Sequence, residues 1–172
     1  MANFSTDSDL TFYQPDILTF GIASFTSPND YHAQARADIE RELRIKWYPV
    51  YVKQTYRDIS LLNTTEMNGT LLTDSQFKRA SVYRVIGFYV CPQLTKYNSN
   101  DNPDRFQVMM KHYQQLYAEE IDSILKDGVE YDADDSNTVA DAEKAPYHRL
   151  QLIRWLRLKV MFCKLLRILK DK

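Results

Sequence analysis

Glycine is scarce in this chain, 4 among 172 residues, and no G-x-x-x-x-G-K-[ST] or G-x-G-x-x-G run occurs. Phosphate-cradling loops need glycines for tight turns and close backbone approach, so nucleotide chemistry of that kind is not indicated. Only two cysteines are present, Cys91 and Cys163. They form neither a disulfide framework nor a metal site, and both are expected as small buried apolar residues. The histidines, His32, His112 and His148, are widely separated and fall in no metal-ligand spacing. No G-x-S-x-G elbow exists. Cys91 with His112 is the one nucleophile pair to weigh, and the position of Cys91 before Pro92 at a helix end, within an apolar run, argues against it. No enzymatic activity is expected. Met1 to Asp9 is polar and carries no basic segment followed by an apolar run, so no signal peptide is read and synthesis is expected in the cytoplasm. The sequons at Asn3, Asn63 and Asn68 then carry little meaning.

What is present is aromatic and helical. Tyrosine (12) and phenylalanine (8) are plentiful, and 44% hydrophobic with 26% charged residues is ordinary for one globular domain. Two long helical runs lie between Leu72 and Gly128, punctuated at Cys91-Pro92. Thr73-Asp74-Ser75-Gln76 has the form of a capping box, with Leu72 and Phe77 as its staple. Phe77, Ala80, Ser81, Val85, Phe88 and Tyr89 then recur along one helical face until Pro92, which cannot continue the helix. Asn102-Pro103 opens the second run; Phe106, Met109, Met110, Tyr113, Leu116, Tyr117, Ile121, Ile124 and Leu125 form its stripe, and Gly128 stops it. The expected fold class is mainly α, a helical bundle with a small β-hairpin and an extended C-terminal arm.

Residues 1–27 read as an ordered arm of short elements, interrupted by Pro15 and Gly21. Ser27-Pro28-Asn29-Asp30 announces the first helix of a core spanning residues 28–148, with serine as cap and proline at the first position. Tyr31, Ala35, Ile39, Leu43 and Trp47 follow at steps of four, and the helix is expected to end before Pro49. Its other face, Arg36, Asp38, Glu40, Arg41, Glu42 and Arg44, bears both signs and reads as a solvated face or a subunit contact. Val50-Tyr51-Val52 favours strand but is too short to assign. Loops are expected at residues 63–70 and 95–103.

From Glu130 to Glu143 there are six carboxylates and no basic residue. On the calcium-loop template, Asp132, Asp134 and Ser136 take positions 1, 3 and 5, Val139 the apolar position 8 and Glu143 the bidentate position 12, but Asn137 stands where glycine belongs. The other reading is an acidic turn joining two short strands, Glu130 to Asp132 and Thr138 to Val139.

Charge is uneven along the chain. From Arg149 onward eight Lys and Arg face Asp171 alone, a surplus of +7; with -1 overall, the first 148 residues carry -8. In this basic arm, residues 149–172, one helical face holds Trp155, Leu158, Phe162, Leu165, Leu166 and Leu169 against Arg149, Arg157, Lys164 and Arg167. Such a segment fits a groove on an acidic partner, a membrane surface, nucleic acid, a strand added to a partner's sheet, or the chain's own acidic body. Its longest apolar run, Val160 to Cys163, is far short of the roughly 18 residues of a membrane span.

The order of these pieces resembles the head-tail connector (adaptor) proteins of tailed bacteriophages. The resemblance runs from Gly21 to Leu150: the helix with Ala35, Ile39, Leu43 and Trp47, then Leu71 to Ile86 leading to Cys91-Pro92-Gln93-Leu94, Phe106 to Tyr117, and Gly128-Val129-Glu130-Tyr131-Asp132 to Glu143 and Arg149-Leu150. It implies a mainly helical subunit with a small β-hairpin, repeated as a homo-oligomeric ring, usually of twelve. That ring would dock under the portal of the virion, with a neck or tail-completion protein beneath it and DNA passing through without specific binding. A C-terminal arm commonly inserts into the portal in such proteins, which points to Arg154, Trp155, Arg157, Leu158 and Phe162 as anchors, with Leu165, Leu166 and Leu169 completing the apolar face. No cofactor is expected; calcium at Asp132, Asp134, Ser136 and Glu143 is the one metal reading, and the resemblance does not carry it. The competing class is a calcium-responsive module that binds a membrane surface or a partner.

Overall fold

The computed structural model describes residues 2–22, 24–55, 66–96, 104–133, 136, 138–139 and 144. Helix accounts for 69% of them, and no strand is formed among them, so the chain is mainly α. In order come α1 (Asp7–Tyr13), a 3-10 turn (Ile17–Phe20), α2 (Tyr31–Lys46), α3 (Tyr48–Thr55), a 3-10 turn (Gly69–Leu71), α4 (Asp74–Arg84), a π-helical turn (Val85–Val90), α5 (Cys91–Leu94) and α6 (Arg105–Asp127).

The apolar stripes place the helices. Tyr31, Ala35, Ile39, Leu43 and Trp47 are all buried, as their four-residue spacing predicts, and so are Tyr113, Tyr117, Ile121, Ile124 and Leu125 of α6. The run between them is more central than one face allows. Val82, Tyr83, Ile86 and Val90 are buried together with Phe77, Ala80, Ser81 and Val85. α4 and its π turn form the middle of the molecule, packed against α6, α2 and, for α4, α1. The first 27 residues belong to the same body, because Phe4, Leu10, Ile17 and Phe25 join the core cluster.

Several helix ends differ from what local rules predict. α2 starts at Tyr31 with Asp30 as its cap, whose side chain accepts from Ala33 N. Ser27 and Pro28 therefore lie outside the helix, because the Asp30 carboxylate is the acceptor aligned with the first free N–H groups. After Lys46 the chain starts α3, in which Pro49 sits in the first turn where its missing N–H costs nothing, and Tyr51 and Val52 are helical and buried. Thr73 caps α4 without a side-chain bond. The capping box is not formed because Gln76 reaches elsewhere: its Nε2 donates to the Gly128 carbonyl at 2.8 Å and its Oε1 accepts from Glu130 N at 2.9 Å. It stitches the start of α4 to the chain leaving α6, where Gly128 takes φ +113°.

Pro92 does not stop the helix. The turn before it widens to π geometry, with Cys91 N bonded to Ile86 O, and the chain continues through Leu94. In an α-helix the proline ring would strike the carbonyl four residues back, and the wider turn relieves that clash. In the π register Pro92 would serve the Gly87 carbonyl but has no N–H to give. Gln114 Nε2 of α6 donates to that carbonyl at 3.3 Å instead. Close approach of α6 favours glycine here, since a Cβ at Gly87 would stand 3.1 Å from Gln114 N and from Tyr113 Cβ, and α6 would have to give by a few tenths of an ångström.

Residues 130–132 run antiparallel to 71–73. Thr73 N donates to Glu130 O at 3.2 Å and Asp132 N to Leu71 O at 2.9 Å, around a bridge between Leu72 and Tyr131. Tyr131 thereby meets Trp47 edge-on at 5.6 Å, and Trp47 stacks on Tyr51 at 4.7 Å.

Candidate functional site

The expected partner-binding residues, Arg154, Trp155, Arg157, Leu158, Phe162, Leu165, Leu166 and Leu169, lie outside the described residues, as do Asp134 and Glu143 of the acidic segment. Asp132 and Ser136 are described. Asp132 is buried and its Oδ1 accepts from Ser136 N at 3.0 Å, while the Ser136 hydroxyl donates to Thr138 O at 3.0 Å. Glu130 pairs with Lys144 at 2.9 Å. Among the described residues no group of His, Cys, Asp or Glu is arranged to hold a metal. No described helix is long and apolar enough to cross a membrane. Cys91 is fully buried, and burial pushes its thiol up to about 11, so it is not poised as a nucleophile.

The fold assembles a serine, a histidine and an aspartate that sequence spacing does not reveal. His32 is fully buried in α2; its Nδ1 lies 2.8 Å from Ser5 Oγ and its Nε2 lies 2.9 Å from Asp7 Oδ1. Ser5 Oγ also meets Ser81 Oγ of α4 at 2.8 Å. A neutral ring protonated on Nε2 satisfies every member, donating to Asp7 and accepting from Ser5, which in turn accepts from Ser81. A nucleophilic serine has to meet substrate, and Ser5 is only 2% exposed. The chain of bonds therefore acts as a clamp that fixes the N-terminal segment across α2 and α4. The partners stand 25, 27 and 76 residues apart, so no motif marks them.

A second polar centre stands between α2, α4 and α6. Arg84 donates to Asp38 at 2.8 Å, and its guanidinium lies 3.9 Å from the Phe88 ring centroid and 5.1 Å from that of Tyr117. Tyr89 also donates to Asp38, and Tyr117 donates to Glu42 at 2.6 Å. Burial alone would raise both carboxyls. The hydrogen bonds from Tyr89 and Arg84 hold Asp38 below its usual range, and those from Lys46 and Tyr117 do the same for Glu42. The phenols respond oppositely: burial and the bond to Asp38 push Tyr89 up to about 12, and burial with Glu42 drives Tyr117 higher still. Arg36 completes the sorting. It is buried, pairs with Glu40 at 2.8 Å and Asp74 at 2.9 Å, and donates to the carbonyls of Gly69, at 2.8 Å, and of Ala2.

The mixed charges of α2 are thus divided: Arg36 and the acids turn inward, and Arg41 and Arg44 remain solvated. All three of its acids turn toward the body, and its outward ridge is Ala33, Ala37, Arg41, Arg44 and Ile45. Ile45 is 69% exposed. Arg41 keeps only a 3.6 Å contact with Asp38, and Arg44 makes no ion pair among the described residues. On α6 the outward ridge passes through Val108, Gln115, Glu119 and Asp122. Phe12 and Leu18 are further large apolar side chains open to solvent.

No family model, curated protein or solved structure matches the chain.

Proposed function

We propose that this protein is a head-tail connector (adaptor) of a tailed bacteriophage: a virion structural subunit that forms a ring, docks on the portal and links the capsid to the neck or tail-completion proteins. The observation that carries the reading is the division of charge, -8 over the first 148 residues and +7 over the last 24. A ring through which DNA passes works best with an acidic or neutral wall, because basic walls hold phosphates by counterion release. The basic arm then faces the partner, with Arg154, Trp155, Arg157, Leu158 and Phe162 as anchors, since aromatic and arginine side chains dominate interface energetics. The small β-hairpin and the extended C-terminal arm, residues 149–172, belong to this reading as the resemblance implies them; the arm and most of the acidic segment after Asp132 lie outside the described residues. The helical body supports the role of a rigid spacer: among the described residues no buried side-chain N or O lacks a partner.

The test uses the full chain and a form ending at Pro146 as baits in lysate of infected host, with co-purifying proteins identified by mass spectrometry. A portal-like protein recovered by the full chain alone, with helical circular dichroism kept in both forms, is the expected result. Equal recovery by both forms refutes the role of the arm. Flotation of the full chain with anionic vesicles, or a calcium-dependent change in its spectrum, replaces the adaptor reading by a membrane- or calcium-responsive one.

A further inference from the structure

We infer that the outward ridge of α2 is a docking surface for the outward ridge of α6 on a second copy of this chain. The inference rests on the ring reading above and names the contact that would build the ring. The ridge of α2 and the C-terminal half of the ridge of α6 are complementary in charge. With its acids turned inward, α2 offers Arg41 and Arg44 beside the exposed Ile45, and the small Ala37 leaves room for a helix to approach. The exposed residues of α6 from Gln115 to Asp127 include Glu119, Asp122 and Asp127 against Lys126 alone, a net of -2, while Arg105 and Lys111 leave the first half of the helix basic, which confines the contact to its C-terminal half. Glu119 has only a bond from Gln115 at 2.8 Å, and Asp122 makes no ion pair among the described residues. A basic ridge on a body that is otherwise acidic calls for an acidic partner, and another copy supplies one. Because the two ridges are different surfaces, their contact is heterologous, and heterologous contacts that close generate rings.

The experiment uses the full chain in three forms: wild type, Arg41→Glu/Arg44→Glu, and Glu119→Lys/Asp122→Lys. Assembly is read by sedimentation velocity and native mass spectrometry, with circular dichroism confirming the fold. The wild type is expected to assemble and to dissociate as salt rises from about 50 mM to about 500 mM. Each variant is expected to assemble at least about tenfold more weakly, because like charges then face each other. Mixed together, the two variants should assemble again, strictly alternating at a ratio of one to one, since only the unlike chains restore opposite charges. A wild type that assembles while either variant assembles equally well, or a mixture that does not recover, overturns the contact and leaves the ring reading standing. A wild type that stays monomeric at every concentration overturns both.

Discussion

Arg36 and Arg84 are both drawn against acids of α2, yet the two centres differ in what the guanidinium holds. Arg36 binds main chain: its carbonyl partners at Ala2 and Gly69 and its carboxylate at Asp74 belong to three separate segments around α2. Phe4 lies under it, 4.2 Å from centroid to guanidinium. Arg84 binds side chains alone, Asp38 on one side and the rings of Phe88 and Tyr117 on the other. A cation that satisfies a buried backbone carbonyl, as Arg36 does at Gly69, has no substitute when it is lost, because the carbonyl cannot leave. One held among side chains leaves behind groups that can turn toward water.

The difference is open to test, beginning with the largest effect. Arg36→Ala is expected to destabilise the chain by about 3–5 kcal/mol, since it strands the buried Gly69 carbonyl and the Glu40 carboxylate. Urea denaturation followed by circular dichroism reads it, and a loss under about 1 kcal/mol would remove the distinction between the centres. Arg84→Ala is expected to cost about 2–3 kcal/mol, and Arg84→Lys to recover little, because lysine cannot stack on the rings and reach Asp38 together. A third effect is set by acid. The pKa values of Asp38 and Glu42 are depressed below their ordinary 3.8 and 4.5, so their stabilisation is complete above those values and is lost as pH falls through the lowered ones. Asp38→Asn should flatten that acid limb in stability measured against pH.

The smallest effect lies at alkaline pH. Tyr89 is raised from 10 to about 12, so its contribution is present below pH 10 and disappears as pH rises through 12. Tyrosinate absorbance of the native chain should show a component near pH 12 from Tyr89, which moves down in Asp38→Asn. Unchanged curves would mean that the phenol does not donate to that carboxylate.

Much of the helical frame was legible in the sequence because burial of one helix face leaves a repeat of three and four residues. Tyr31 to Trp47 and Tyr113 to Leu125 show it plainly. The run from Ala80 to Val90 has no single buried face to display, because Val82, Tyr83 and Ile86 are buried along with Ala80, Ser81 and Val85, while the exposed Lys78 and Arg79 belong to the start of α4. Pro92 misled for a different reason: the rule against interior proline assumes α geometry, and the widened turn with the Gln114 amide evades it. Gln76 fitted a capping box by spacing, but a long amide also serves partners 52 and 54 residues away. The Ser5, His32 and Asp7 chain and the inward turn of the α2 acids depend wholly on tertiary pairing, for which a single sequence holds no local signal.

The π turn has one further consequence. It holds one residue more than the α-helix it interrupts, so the helical wheels of α4 and α5 are offset by about 100°. Deleting a single residue from 85–90 would barely shorten the rod, yet it would bring the two wheels into phase. Either Arg84 would swing away from Asp38 or Cys91 would leave the core. The extra residue is therefore a setting of angle, which lets one continuous rod present differently aimed faces to α2 and α6.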